Sequence, residues 1–159
     1  QAWHQGKLLL QDTSLNDIVI SRSGKLRIID FRVYVDEELL GTFSADGIIV
    51  STPTGSTGYN LSAGGPIVAP HASLILLTAI APHTLASRPI VLPDNVTICI
   101  EIGASHEQDS DGAQACFDGD TTISLSQGDR VEIRRSIEKT RFIRIRHTSF
   151  LETLREKMK

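Results

Sequence analysis

Short runs of β-branched and aliphatic residues, each stopped by turn residues, recur along most of the chain and constrain the fold more than any other feature. Asp17–Ser21 (DIVIS) reads as a strand, and Ser23-Gly24-Lys25 as the turn that ends it. Leu26–Val35 alternates apolar and polar residues, with a shift of phase near Ile29–Asp30 that marks a bulge. Asp36–Glu38 turns into a further strand, Leu39–Ser44, and Gly47–Ser51 and Pro89–Leu92 read as short buried strands. Val96–Ile102, Ala113–Asp118, Thr121–Ser124, Arg130–Ser136 and Arg141–His147 complete the set, with Gln127-Gly128-Asp129 as another turn. Ser105–Gln114 reads as an exposed loop or hairpin tip. The pattern predicts a mainly β, sandwich-like domain with little helix. A short helix is expected within Ser56–Ala63. A second is expected from Phe150, where Ser149 and Glu152 have capping-box spacing and Phe150, Leu151, Leu154 and Met158 fall on one helical face.

A chain of 159 residues, 40% of them hydrophobic, suffices for one folded domain, and aromatics at 5% leave the core to Ile, Leu and Val. With 16 Lys and Arg against 19 Asp and Glu, the net charge of −3 argues against nucleic acid or an anionic membrane as the main partner. One basic stretch stands out: Arg134, Arg135, Lys139, Arg141, Arg144 and Arg146. It reads as a solvated sheet face, with an anion contact or a subunit interface as the alternative. Cys99 and Cys116 lack metal or redox spacing and are expected as buried free thiols, which fits a reducing cytoplasm. No apolar run approaches the roughly 20 residues that cross a bilayer. The start at Gln1 without Met suggests an excised fragment, so the true N-terminus is open.

The chemistry concentrates in Asp46–Pro66, DGIIVSTPTGSTGYNLSAGGP. A hydrophobic strand runs directly into a loop of hydroxyl and glycine residues. Such a loop offers backbone N–H groups, hydroxyls and little bulk, and a helix starting after it adds a positive field. It suits a ribose, an amide or a phosphate. It is not a Walker A loop, because no Gly-Lys-Ser/Thr follows, and Gly55-Ser56-Thr57-Gly58 is not a nucleophile elbow. An ordinary turn has the same composition, but Tyr59 adds a ring that can stack on a base. Asn16-Asp17, at the mouth of a strand, can bind a base edge and a ribose diol, although a strand-start cap is the commoner role of such a pair. Asp46-Gly47 alone is more often a turn, and Pro82-His83 is more often structural.

Together these segments resemble the C-terminal domain of the NAD kinase family. The matching pieces are Leu15–Ile20, Asp46–Pro66, Ala81-Pro82-His83-Thr84-Leu85, Arg88-Pro89-Ile90, Phe117-Asp118-Gly119 and the tail Phe150–Lys157, in the same order. The resemblance covers nearly the whole chain, and its central stretch is highly specific. It implies a two-sheet sandwich of the NAD kinase/diacylglycerol kinase-like fold. Residues 1–159 would form one NAD-binding domain, with the N-terminal ATP-binding domain absent from this chain. It implies transfer of the γ-phosphoryl of ATP, with a divalent metal such as Mg, to the 2′-hydroxyl of the adenosine ribose of NAD, giving NADP. Asn16, Thr57, Gly58 and Tyr59 resemble positions lining the adenosine part, and Asp17 the acidic residue near the ribose hydroxyls. Asp46, Thr54, Ser62 and Ala81 resemble positions contacting the rest of the dinucleotide, including its nicotinamide end. Family members are homo-oligomers, dimers or tetramers, in which a neighbouring subunit completes each pocket.

Two departures matter. The family's Gly-Gly-Asp-Gly segment, which carries the catalytic base and much of the ATP site, has no counterpart here, so no catalytic residue is expected in this chain and none of the activity in isolation. Gly58 stands where many members have Ala, a change that only removes a methyl group. Two other readings compete: a lipid-kinase-like domain of the diacylglycerol or sphingosine kinase type, and a non-catalytic dinucleotide-binding or assembly module. The polar loop around Tyr59 speaks against an acyl-chain site.

Overall fold

Among the described residues twelve strands make two six-stranded antiparallel sheets. They are β1 (Ala2–His4), β2 (Lys7–Leu10), β3 (Asp17–Arg22), β4 (Ile29–Val35), β5 (Glu38–Ala45), β6 (Gly47–Ser51), β7 (Leu74–Ile80), β8 (Ile90–Pro93), β9 (Ile98–Ser105), β10 (Ala113–Phe117), β11 (Thr121–Leu125) and β12 (Arg130–Ile133). The first sheet has the order β2-β1-β12-β9-β4-β5 and the second β11-β10-β3-β6-β7-β8. This computed structural model describes residues 1–24, 28–84, 87–105, 112–143, 145 and 149–157.

The inner faces of the two sheets share one core. Phe31, Val33, Ile98, Ile100, Ile102 and Val131 of the first sheet belong to the same buried cluster as Ile20, Ile48, Val50, Leu77, Ala115 and Phe117 of the second. Alternation along each strand puts the intervening residues on the outer faces. Strands β6 and β7 depart from it. All of Gly47–Ser51 is buried, and so are Ile75–Ala79. Both outer faces of these strands are covered, which is why GIIVS and LILLTAI read as unbroken apolar runs.

Turn chemistry sets the connections. Asp36 and Glu37, at φ +48° and +72°, make the left-handed pair that joins β4 to β5. The bulge appears in β4, where the register against β9 shifts between Ile29 and Phe31. Gly103 permits it, because a Cβ there would lie 2.5 Å from the Asp30 carbonyl oxygen.

Among the described residues helix is confined to a 3-10 turn over Gly55–Thr57, the single turn α1 (Tyr59–Ser62), and α2 (Phe150–Lys157). The capping box forms at α2: Ser149 N–H donates to Glu152 Oε2 at 2.8 Å, and Glu152 N–H to Ser149 Oγ at 3.1 Å. Among the described residues no helix is long and apolar enough to cross a membrane.

Several expectations change. Strands β1, β2 and β7 were not foreseen, and β12 ends at Ile133 rather than Ser136. No strand forms over residues 141–143 or at Ile145, so the basic stretch is no sheet face there. The strand that precedes it, β12, already has β1 and β9 on its two sides, so the segment cannot pair with its neighbour in sequence. Ile143 and Ile145 stay 91% and 92% exposed. Strand β9 runs through Ser105 and β10 starts at Ala113 in the other sheet, so these two strands do not pair with each other as a hairpin. Cys99 and Cys116 are free but half-buried. Parts of the expected elements lie outside the described residues: Lys25, Leu26, Arg27, Leu85, residues 106–111, Arg144, Arg146, His147 and Met158.

Candidate functional site

The hydroxyl-rich loop after β6 folds back over the outer face of β6 and β7 and stops short of β3 and β10. Asn60, fully buried in α1, anchors it. Its amide nitrogen donates to the carbonyls of Ser56 and Pro66 at 3.1 and 3.2 Å, and its Oδ1 accepts from Thr78 Oγ1 of β7 at 2.7 Å. Ser56, also fully buried, accepts from Val68 N–H at 3.1 Å through its hydroxyl. Gly65 must be glycine, since a Cβ would come within 2.1 Å of Asn60 Oδ1. Most of the loop's polar groups are thus structural, as the ordinary-turn reading holds. The exceptions lie at its leading edge.

That edge forms a step. Its wall is Thr54, Thr57, Gly58 and Tyr59, and its floor is the outer face of β3 and β10, where Val19 pairs with Cys116 and Ser21 with Gln114. Asn16, Asp17, Asp118 and Gly119 close one end, and the hollow holds about 540 Å³. Strand β3 meets β6 there, with Asp17 opposite Ser51. Thr52 locks the junction: its N–H donates to the Asn16 carbonyl at 2.9 Å and its hydroxyl to the Leu15 carbonyl at 2.6 Å. Gly55 packs on the same backbone, with no room for a Cβ, which would sit 2.1 Å from the Asn16 carbonyl oxygen.

The strand-start pair is therefore not a simple cap. Among the described residues neither the exposed Asn16 amide nor the Asp17 carboxylate has a side-chain hydrogen bond, although Asp17 is only 8% exposed. Burial, and then the neighbouring charge of Asp118, push the Asp17 carboxyl above its usual range. A little-exposed residue whose carboxylate opens into the hollow without a donor suits a ligand hydroxyl. Tyr59 presents a half-exposed ring on the opposite side. Because α1 is a single turn, the helix field expected at the loop is small.

Of the nine residues expected at the site, six gather here: Asn16, Asp17, Thr54, Thr57, Gly58 and Tyr59. Ser62 is exposed at the far end of α1, and it does not line the hollow. Asp46 and Ala81 lie together at the opposite end of β6 and β7, where Asp46 N–H donates to the Ile80 carbonyl at 3.0 Å. Asp46 faces Arg22 there, 3.3 Å from Nε. Val19, Ser21, Gln114, Cys116 and Gly119 line the hollow without having been foreseen as site residues. Outward alternation on β3 and β10 was readable, but not the pairing of two strands so distant in sequence.

Among the described residues no group of three or more His, Cys, Asp or Glu side chains could hold a metal ion. Asp17 and Asp118 do not fit one either, since both Asp118 oxygens already accept backbone N–H bonds. The divalent metal expected with ATP therefore has no ligand set in these residues.

The family model for the ATP-NAD kinase C-terminal domain matches residues 15–145. The chain is 51% identical to an NAD kinase of Agathobacter rectalis over 145 residues, 91% of this chain and 51% of that protein. It is 46% identical to an NAD kinase of Lachnospira eligens, over 94% of this chain and 54% of that protein. It thus spans about half the length of the curated relatives it matches. Among solved structures, yeast NADH kinase complexed with NADH superposes with a TM-score of 0.74 at 35% identity, covering 80% of this chain and 36% of that one. An NAD kinase from Archaeoglobus fulgidus in complex with ATP gives 0.69 at 30% identity, covering 78% and 46%.

Proposed function

The chain belongs to the NAD kinase family through its C-terminal domain, and from that premise we propose that it is the dinucleotide-binding half of an enzyme that phosphorylates NAD to NADP. The observation that carries this reading is the Asp17 carboxylate, little exposed and without a donor, opening into a step walled by Thr57, Gly58 and Tyr59. Tyr59 stacks on the adenine, the Asn16 amide reads the base edge, and Asp17 accepts from a ribose hydroxyl. Asp17 so orients the sugar whose 2′-hydroxyl takes the γ-phosphoryl of ATP. The similarity to NAD kinases at this identity favours neither the lipid-kinase-like nor the non-catalytic reading.

The rest of the reaction belongs to a second half, with the catalytic base, the ATP site and the metal that supplies charge stabilisation for phosphoryl transfer. Thr54 and Ser62 lie toward the remainder of the dinucleotide. Asp46 is five residues from Ser51 along β6, so roughly 17 Å from the Asp17 end at ~3.3 Å per residue. We place Asp46 and Ala81 against the nicotinamide end of a dinucleotide shared with a neighbouring subunit of a dimer or tetramer. Two free thiols fit a cytoplasmic enzyme.

Calorimetry with NAD and NADP, beside an assay of NADP formation from ATP and NAD, tests this on the full-length protein and on the isolated chain. Binding and turnover by the full-length protein, with no turnover by the isolated chain, are expected. Turnover by the isolated chain, or a phosphorylated lipid as the preferred product, would overturn the reading.

A further inference from the structure

Residues 15–17 are gripped from two sides. Their carbonyls are held by the end of β6: Thr52 takes those of Leu15 and Asn16, as described above. Their N–H groups have a different holder, more than 100 residues away in sequence. Asp118 Oδ2 accepts from Leu15 N–H at 2.6 Å, and Oδ1 accepts from Asn16 N–H at 2.7 Å and Asp17 N–H at 3.1 Å. Asp118 N–H returns a bond to the Asp17 carbonyl at 3.0 Å. One carboxylate thus gathers three successive N–H groups of the segment that carries the two unpartnered side chains of the site.

Asp118 reaches this position by a conformation few residues adopt. It opens the turn from β10 to β11 at φ +50°, followed by Gly119 at φ +77°. Aspartate tolerates the left-handed region better than most side chains, and from there its carboxylate turns back over the end of β3. Carboxylate bonds to N–H groups are charge-assisted and stronger than neutral ones. They replace the strand partner that residues 15–16 lack, since β10 ends its pairing with β3 at Ile18.

We propose that Asp118 is a positioning residue of the dinucleotide site, fixing the backbone of Leu15–Asp17 so that the Asn16 amide and the Asp17 carboxylate face the adenosine. This rests on the site reading above. The charge of Asp118 has a second consequence: it keeps Asp17 a stronger proton acceptor, the better to hold a sugar hydroxyl.

The test compares D118G and D118N in the full-length protein. Glycine takes the left-handed turn without strain, so D118G removes the carboxylate and little else. Asparagine keeps one oxygen for two of the N–H groups and turns an amide toward the third. NAD dissociation constants are expected to rise at least tenfold in D118G and by less in D118N, with the KM for ATP within twofold of wild type. Amide hydrogen exchange at residues 15–17, without ligand, speeds up in D118G. On a D17N background the effect of D118G on NAD binding shrinks below threefold, because part of what Asp118 positions is already gone. Wild-type protein that binds NAD while D118G binds equally well, or a tenfold loss that persists undiminished in D17N, would overturn the proposal. Wild-type protein that does not bind NAD would instead sink the site reading itself, and the proposal with it.

Discussion

The outer faces of the two sheets use the same kinds of side chain to opposite ends. On the first sheet Arg130, Glu101 and Arg32 lie abreast across β12, β9 and β4. Glu101 accepts from Arg32 Nη2 at 2.7 Å through Oε1 and from Arg130 Nη2 at 2.7 Å through Oε2. A hollow of about 710 Å³ lies beside them, lined by Tyr34, Asp36, Cys99, Arg130 and Glu132 among others. It is larger than the step on the second sheet, yet its one arginine, Arg130, is already held by Glu101. On the second sheet Asp17, only 8% exposed, opens into the step without a donor, and Asn16 is exposed without a partner. The difference teaches that a little-exposed acidic residue left without a partner, rather than volume, separates a binding site from a dent.

The comparison breaks first if the step does not depend on its anchor. N60A leaves Thr78 and two carbonyls without their partner in a buried place. It should cost on the order of 2–4 kcal/mol in denaturant unfolding and abolish NAD binding. Next comes the wall. Y59A should weaken NAD binding on the order of 10–100-fold, about 1.4–2.8 kcal/mol, with no loss of Tm, because the ring is half-exposed. Its mirror on the first sheet is E101Q. That change should lower stability on the order of 1–2 kcal/mol through the two arginines, and leave the NAD dissociation constant within twofold.

The smallest effect sharpens the contrast by its sign. The Asp17 carboxyl is raised by burial and by Asp118, so the folded protein holds this proton more tightly than the unfolded chain. Stability from this group is therefore greatest below the usual carboxylate range and declines as pH climbs through the raised value. D17N should raise Tm at neutral pH and flatten that decline in thermal melts run from pH 3 to 8, while weakening NAD binding. A fall in Tm at neutral pH would show that Asp17 is already satisfied within the protein.

Much of this was legible in the sequence, for identifiable reasons. Gly47–Ser51 was placed to the residue because both of its faces are buried and turn residues bound it. The capping box at Ser149 and Glu152 is local chemistry and appeared as read. Strand β7 was passed over because an unbroken run such as LILLTAI has no period to distinguish strand from buried helix. The run from Arg141 differs in the other direction, since Ile143 and Ile145 alternate as a strand would, but β12 before them is already paired on both sides. At the site, the loop and Asn16-Asp17 were visible as residue types. Asp118 stood out only as part of the Phe117–Gly119 segment, and neither its place at the site nor the floor was visible, because β3 and β10 meet only through the topology of the second sheet.

The two cysteines offer the most direct test, because one lies in each hollow: Cys116 on the floor of the step and Cys99 in the dent of the first sheet. Alkylation by iodoacetamide can be followed at each by peptide mass spectrometry, with and without saturating NAD. The account predicts that NAD slows modification of Cys116 and leaves the rate at Cys99 unchanged. Protection of Cys99 alone, or an unchanged rate at Cys116 with NAD bound, would contradict it.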